Sequence, residues 1–146
     1  MLTLEQVERR KCFIGGSDCA GVLGLSRWQT PLSIWASKTG QIPNEDKSDV
    51  LAIEVGNELE DLVCRLFTKR TGKKLRRSNE AIFHPKYPFI GAHIDRRVVG
   101  EDAIFEAKTA SAWKAKEWEG EDIPREYILQ VMHYLAVTGQ QIAYVA

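Results

Sequence analysis

The chain has 146 residues, 44% of them hydrophobic and 27% charged, which is long enough to bury a core and has the make-up of an ordinary soluble protein. Lys plus Arg (20) equals Asp plus Glu (20), so no global positive field advertises nucleic acid, and binding to phosphates rests on local basic patches. Cys12, Cys19 and Cys64 form no C-x-x-C pair, which excludes a standard zinc or iron–sulfur site, and no apolar run approaches the length of a membrane span.

In chain order, Thr3 to Lys11 reads as a short helix opened by a capping box of Thr3 and Gln6. Gly15-Gly16 forms a turn, and Ser17 can cap a second short helix ending near Gly24. Thr30-Pro31 starts a third helix, closed by Gly40. After the loose stretch from Gln41 to Lys47, Ser48 starts a long helix to about Thr71, with Gly72 at its end. Strand-like residues follow at 74–83, and again at 89–99 and 103–109. A short amphipathic piece at 110–119 comes next, then a helix opened by Pro124 and closed by Gly139, then a terminal strand. The terminal strand looks cut off in progress, so a single domain over residues 1–146, continuing beyond Ala146, is expected. Helices flanking a small mixed sheet make the fold class α/β or α+β.

The strands carry the chemistry. Gly100-Glu101 between the last two suits a two-residue hairpin loop with Gly first. If Val99 faces Asp102, counting sets Asp95 opposite Glu106, where Cβ atoms lie about 4.5–5.5 Å apart. Two carboxylates there repel unless a cation lies between them, and a divalent metal ion held by oxygen is the natural candidate. Alternation puts Lys108 on the face of Glu106. Surface hairpins also carry such residues by chance, so the triplet alone decides nothing.

On the long helix, Leu51, Ala52, Val55, Leu59, Leu62, Val63, Leu66 and Phe67 form an apolar arc, with Glu60 inside it and Glu54, Glu58 and Asp61 outside. A carboxylate facing a core needs a partner, either an arginine or a metal or water aimed at the hairpin. On the last helix Tyr127, Gln130, Tyr134 and Val137 share a face, where Gln130 is a satisfied core amide or part of a site. His93 shares the face of Asp95 and could line a site, whereas His133 reads as structural and His84 as a loop residue. Ile14-Gly15-Gly16-Ser17-Asp18 offers backbone N–H groups where phosphates bind, or else Ser17 is an N-cap, and Arg10 stands seven residues before it. Trp113 and Trp118 could contact a strand or simply pack.

Taken in order, Arg10, Ile14-Gly15-Gly16-Ser17-Asp18, the segment from Pro31 to Gly40, Gly56-Asn57-Glu58-Leu59-Glu60, Asp95, Glu106-Ala107-Lys108 and Tyr127-Ile128-Leu129-Gln130 resemble the YqaJ-type viral recombinases, relatives of phage lambda exonuclease in the PD-(D/E)XK nuclease superfamily. The resemblance spans nearly the whole chain. It implies a restriction-endonuclease-like core and a metal-dependent DNA exonuclease, degrading the 5′ strand of linear duplex DNA to expose 3′ single strands for recombination. It implies Mg²⁺, with Mn²⁺ as a substitute, on Glu60, Asp95, Glu106 and the Ala107 carbonyl, with Lys108 orienting the attacking water and Gln130, beside Tyr127, holding the geometry. Arg10 and Ser17 match the pocket for a terminal 5′-phosphate. The implied partners are DNA ends, a single-strand annealing protein and further copies of the chain. The implied location is the cytoplasm of a bacterial or phage-infected cell. An endonuclease with the same site and a non-catalytic DNA-end-binding module are the alternatives. Two positions depart from the family: Ile94 stands where proline is frequent, and Arg96 where glycine is common, which bears on the turn after Asp95 rather than on the ligand itself.

Overall fold

The computed structural model describes residues 10–43, 50–110, 116–119 and 123–146. Among these residues there are four α-helices: α1 (Cys19–Val22), α2 (Pro31–Lys38), α3 (Leu51–Thr71) and α4 (Arg125–Thr138). The strands are β1 (Leu75–Arg77), β2 (Ile82–Phe83), β3 (Gly91–Ala92), β4 (Arg96–Val98), β5 (Ala103–Glu106) and β6 (Ile142–Val145). The fold is α+β, as the sequence implies. The helix expected over Thr3–Lys11 falls mostly outside the described residues, which begin with a 3₁₀ turn at Arg10–Cys12. Ser48, Trp113 and half of the expected 110–119 piece also lie outside them.

The chain forms two compact units. One comprises Met1–Glu45, Glu80–His93 and Arg125–Gly139; the other comprises Asp46–Asn79, Ile94–Pro124 and Gln140–Ala146.

In the first unit, Thr30 caps α2 by accepting from the Ser33 N–H (3.1 Å), while the Ser33 hydroxyl accepts from the Thr30 N–H (2.9 Å). Ser17 does not cap a helix. It sits within a second 3₁₀ turn (Gly16–Asp18), and the Asp18 carboxylate reaches back to the Gly15 N–H (2.8 Å). The β2–β3 ladder is antiparallel, with Ile82 opposite Ala92. Phe13 packs edge-on to Phe83 at 5.3 Å between ring centroids, and Phe13, Ala20, Ile34, Ala92, Val131, Tyr134 and Val137 are buried.

The second unit holds a four-stranded sheet in the order β1-β4-β5-β6, antiparallel except for the parallel β5–β6 pair. Its core joins Cys64 of α3 to Val98, Ala103 and Phe105, with Val63, Phe67, Leu75 and Tyr144 packed around them. The expected strands at 74–83 and 89–99 are each broken in two, and their halves belong to different sheets. Periodicity over a continuous run cannot register a bend that hands the chain from one sheet to another.

The apolar arc expected on α3 is corrected in part. Leu51, Val55, Leu59, Leu62 and Leu66 are exposed, and the shielded stripe is Gly56, Glu60, Val63, Cys64, Phe67 and Thr68. These six follow helical spacing as well as the leucines do. What turns the helix to this face is specific contact: Phe67 lies 4.6 Å from Phe105 between ring centroids, and Glu60 reaches Arg96. Gly72 closes the helix in the left-handed region at φ 73°, donating its N–H to the Thr68 carbonyl (2.9 Å).

Candidate active site

The hairpin between β4 and β5 has the register that residue counting gives. Arg96 faces Phe105 and Arg97 faces Ile104, the register that counting requires; Asp95 lies in a bend just before β4, next to the Glu106 end of β5. Gly100 adopts φ 83°, a backbone open chiefly to glycine, at the first position of the loop. The ladder end is locked by the Ala107 N–H donating to the Asp95 carboxylate (2.8 Å). On the other side β6 braces the same segment, with the Ala146 N–H donating to the Glu106 carbonyl (3.1 Å) and the Lys108 N–H to the Ala146 carbonyl (2.7 Å).

Two acids and a lysine therefore converge. Glu106 is only 3% exposed. The Lys108 ammonium lies 2.7 Å from its carboxylate. Burial pushes the Glu106 carboxyl up to about 7, and the charge of Asp95 pushes the same way against the pull of Lys108. Burial also raises Asp95; the Ala107 N–H opposes this and the charge of Glu60 adds to it. Each acid makes ionisation of the next harder, which is the electrostatic signature of a site short of positive charge.

Glu60 lies on the shielded face of α3, although most of the apolar arc expected around it is exposed. In this structure its carboxylate is paired with Arg96 (2.6 Å), the arginine alternative raised by the sequence. Arg96 is itself buried. It also donates to Asp61 (2.6 Å) and to the carbonyl of Asp95 (2.8 Å), and Asp61 carries a second arginine, Arg77, at 3.0 Å. No non-glycine residue among those described has positive φ, so the chain passes from Asp95 to Arg96 without a left-handed backbone. Arg96 and Asp61 are the two residues of the cluster to which the sequence assigned no role. The signal was there, since Arg96 stood out in the sequence as a departure from the resembled family.

The remaining expected residues belong to the first unit. The Arg10 guanidinium donates to the Ser17 hydroxyl (3.3 Å), so the pair thought to bind an anion is assembled. Lys38 adds a cation to the same turn, bonding the Arg10 carbonyl (2.7 Å) and the Asp18 carboxylate (2.8 Å). Gln130 donates to the Tyr134 hydroxyl (2.8 Å), and Tyr127 lies one turn earlier on α4. His133 is structural: one ring nitrogen bonds the Gly91 carbonyl (2.8 Å) and the other meets the Cys19 thiol (3.0 Å). A carbonyl only accepts, so Nε2 carries the proton and the thiol donates to Nδ1. His84 caps its loop by accepting from the N–H groups of Lys86 and Tyr87 (3.1 Å each). His93 packs on Phe13, and its Nε2 is buried with no hydrogen-bond partner among the described residues.

The donor set of the second unit fits a hard divalent cation. Its oxygens are carboxylates, which such ions prefer, and the two innermost acids are held above their usual range by burial first and then by the charge of a neighbouring carboxylate. The fit is for two acids directly and a third shared with Arg96, because among the described residues no three acid, histidine or cysteine side chains are already gathered as a ligand cluster.

Comparison with known proteins agrees with the sequence. Residues 5–141 match the model of the YqaJ-like viral recombinase domain. Over 136 residues the chain is 52% identical to an uncharacterised protein, YqaJ, of Bacillus subtilis (strain 168), covering 92% of this chain and 42% of that protein. The chain thus spans about two-fifths of the length of that relative. Among solved structures, an alkaline exonuclease (LHK-Exo) from Laribacter hongkongensis superposes with a TM-score of 0.77 at 21% identity, over 98% of this chain and 74% of that one. A phage-related exonuclease from Haemophilus somnus 129PT superposes with a TM-score of 0.65 at 16% identity, over 91% and 66%. At these identities the likeness establishes the fold alone.

Proposed function

We propose that this chain, which belongs to the YqaJ-like viral recombinase domain family, is the nuclease part of a metal-dependent DNA exonuclease acting in recombination. The observation that carries the reading is the buried Asp95/Glu106 pair with Lys108 on its rim, set by a hairpin of fixed register. In support, the structural neighbours are exonucleases, and one of them was crystallised with dAMP.

Asp95 and Glu106, with the second oxygen of Glu60 and the Ala107 carbonyl, would hold Mg²⁺, for which Mn²⁺ would substitute. When bound, such an ion neutralises phosphodiester charge, lowers the pKa of a water and stabilises the leaving oxygen. Lys108 orients that water and adds positive charge where the transition state gains negative charge. Arg10 and Ser17 receive the terminal 5′-phosphate, which gives 5′-to-3′ polarity on duplex ends. Gln130, held by Tyr134 and flanked by Tyr127, keeps the geometry of the site. The 3′ strand left behind would pass to a single-strand annealing protein, and assembly of several copies around the duplex would suit continuous digestion.

The test is nucleotide release from linear duplex, with Mg²⁺ or with EDTA. Release that needs Mg²⁺, prefers 5′-phosphorylated over 5′-hydroxyl ends and spares closed circles is expected. Cutting of closed circles would make the chain an endonuclease. Binding of ends without any release would make it a non-catalytic module. No helix among the described residues is long and apolar enough to cross a membrane, and the reading needs none.

A further inference from the structure

We propose that Arg96 is a resident counter-ion of the acidic cluster: it competes with the divalent cation for Glu60 and thereby sets how tightly the site takes that cation up. The inference rests on the metal-site reading above and concerns a residue to which that reading gives no role.

Arg96 is the first residue of β4, directly after the bend at Asp95. Its side chain meets α3, as Phe105, its partner across the ladder, does through Phe67. The side chain is only 8% exposed, and a guanidinium in such a place must fill its donors. It fills them with Glu60 and Asp61 from α3 and with the carbonyl of Asp95 itself. One side chain therefore ties the helix that supplies the third acid to the strand that supplies the first.

The charges around it give the tie its consequence. Among the described residues, Glu60, Asp61 and Glu106 pair with three cations, Arg96, Arg77 and Lys108, near Asp95. Arg77 reaches the exposed Asp61 and Lys108 reaches Glu106, so Arg96 is the cation that neutralises Glu60. A divalent cation entering between Asp95 and Glu106 must either share Glu60 with the guanidinium through the other oxygen or displace it. Both routes cost affinity relative to a chain with a small neutral residue at position 96. In exchange, Glu60 stays in place and is charge-compensated when no cation is bound.

The experiment measures Mn²⁺ binding by electron paramagnetic resonance and thermal unfolding with and without Mn²⁺, on wild type, Arg96→Met, Arg96→Gln, Glu60→Gln and the double variant Glu60→Gln/Arg96→Met. Arg96→Met and the more polar Arg96→Gln should bind Mn²⁺ about tenfold more tightly than wild type, a size typical of coupling within one charge network. Both should unfold at a lower temperature without Mn²⁺ and gain more from it than wild type does. In the Glu60→Gln background the substitution at position 96 should bring no gain. A residue with a merely structural role would leave the affinity unchanged or lower it, and either result in a folded variant overturns the proposal. A variant that folds only with Mn²⁺ present supports it, since the ion then replaces the guanidinium; one that stays unfolded with Mn²⁺ overturns it. If wild type takes up Mn²⁺ and Arg96→Met does so no more tightly, only the role of Arg96 falls. If neither takes it up, the metal-site reading falls and this inference with it.

Discussion

The Ala107 N–H donates to the Asp95 carboxylate (2.8 Å) just beyond the Arg96–Phe105 pair of the β4–β5 ladder, which holds Asp95 beside the Glu106 end of β5. The pairing is a consequence of backbone geometry. A glycine with φ 83° shapes the turn over residues 99–102, and the register of the ladder follows from that turn. Inserting one residue in that loop would turn one acid to the other face of the sheet.

Lys108→Ala should separate chemistry from binding. The ammonium lies 2.7 Å from the Glu106 carboxylate and its side chain is only 18% exposed, so it offers little surface to DNA. Single-turnover cleavage of linear duplex should fall about 10²–10³-fold, the usual loss for one electrostatic stabiliser, while duplex-end affinity changes little. Full activity in the variant would remove the assignment.

The acidic pair also predicts a pH dependence. The folded-state pKa of Glu106 is raised from 4.5 to about 7. Between those values the folded chain binds a proton that the unfolded chain has released. The contribution of Glu106 to stability is therefore complete below about pH 4.5 and is lost as pH rises through 7. In EDTA the melting temperature of wild type relative to Glu106→Gln should decline across that window. A divalent cation should restore wild type above pH 7 and release a proton on binding near pH 6, measurable by titration calorimetry in two buffers. A wild-type advantage that grows with pH in EDTA would refute the shift.

Legibility in the sequence followed the range of the forces involved. Thr30, Gly40, Gly72 and Gly139 were readable as helix ends because capping and left-handed turns are local. Glu60 was readable as an anomaly because an acid among leucines needs a partner. The identity of that partner was not readable, since Arg96 lies 36 positions along the chain and meets Glu60 only once β4 pairs with β5. The rotation of α3 was hidden for the same reason. Two stripes of the helix are equally periodic, and the choice between them rests on Phe105 and Arg96, both distant in sequence.

Arg10→Ala should cost the preference for phosphorylated ends more than the cleavage itself. The guanidinium already holds Ser17 at 3.3 Å in a turn rich in backbone N–H groups, a geometry that suits an oxyanion. The ratio of rates on 5′-phosphorylated and 5′-hydroxyl duplex should shrink by about tenfold or more, as expected for one charge-assisted hydrogen bond. Ser17→Ala should shrink it less. An unchanged ratio in both variants would take the 5′-phosphate away from this turn.

Gly16→Ala tests whether the same turn tolerates any bulk. A Cβ at Gly16 would stand 2.4 Å from Tyr134 Cε1 and 3.0 Å from Gln130 Cγ. Tyr134 is buried and its hydroxyl is held by Gln130, so the ring has little room to yield. Overpacking of this kind costs about 1–3 kcal/mol, readable as a drop in denaturation midpoint at unchanged slope. Because the displaced residues include Gln130, the variant should also lose activity beyond its loss of stability, when assayed well below its melting temperature. Gly24→Ala provides the contrast: its φ of 68° is strained for alanine, yet no atom lies within 4 Å of the added Cβ, so it should lose stability without losing the activity assigned to Gln130. Equal activity in the two folded variants would remove Gln130 from the working site.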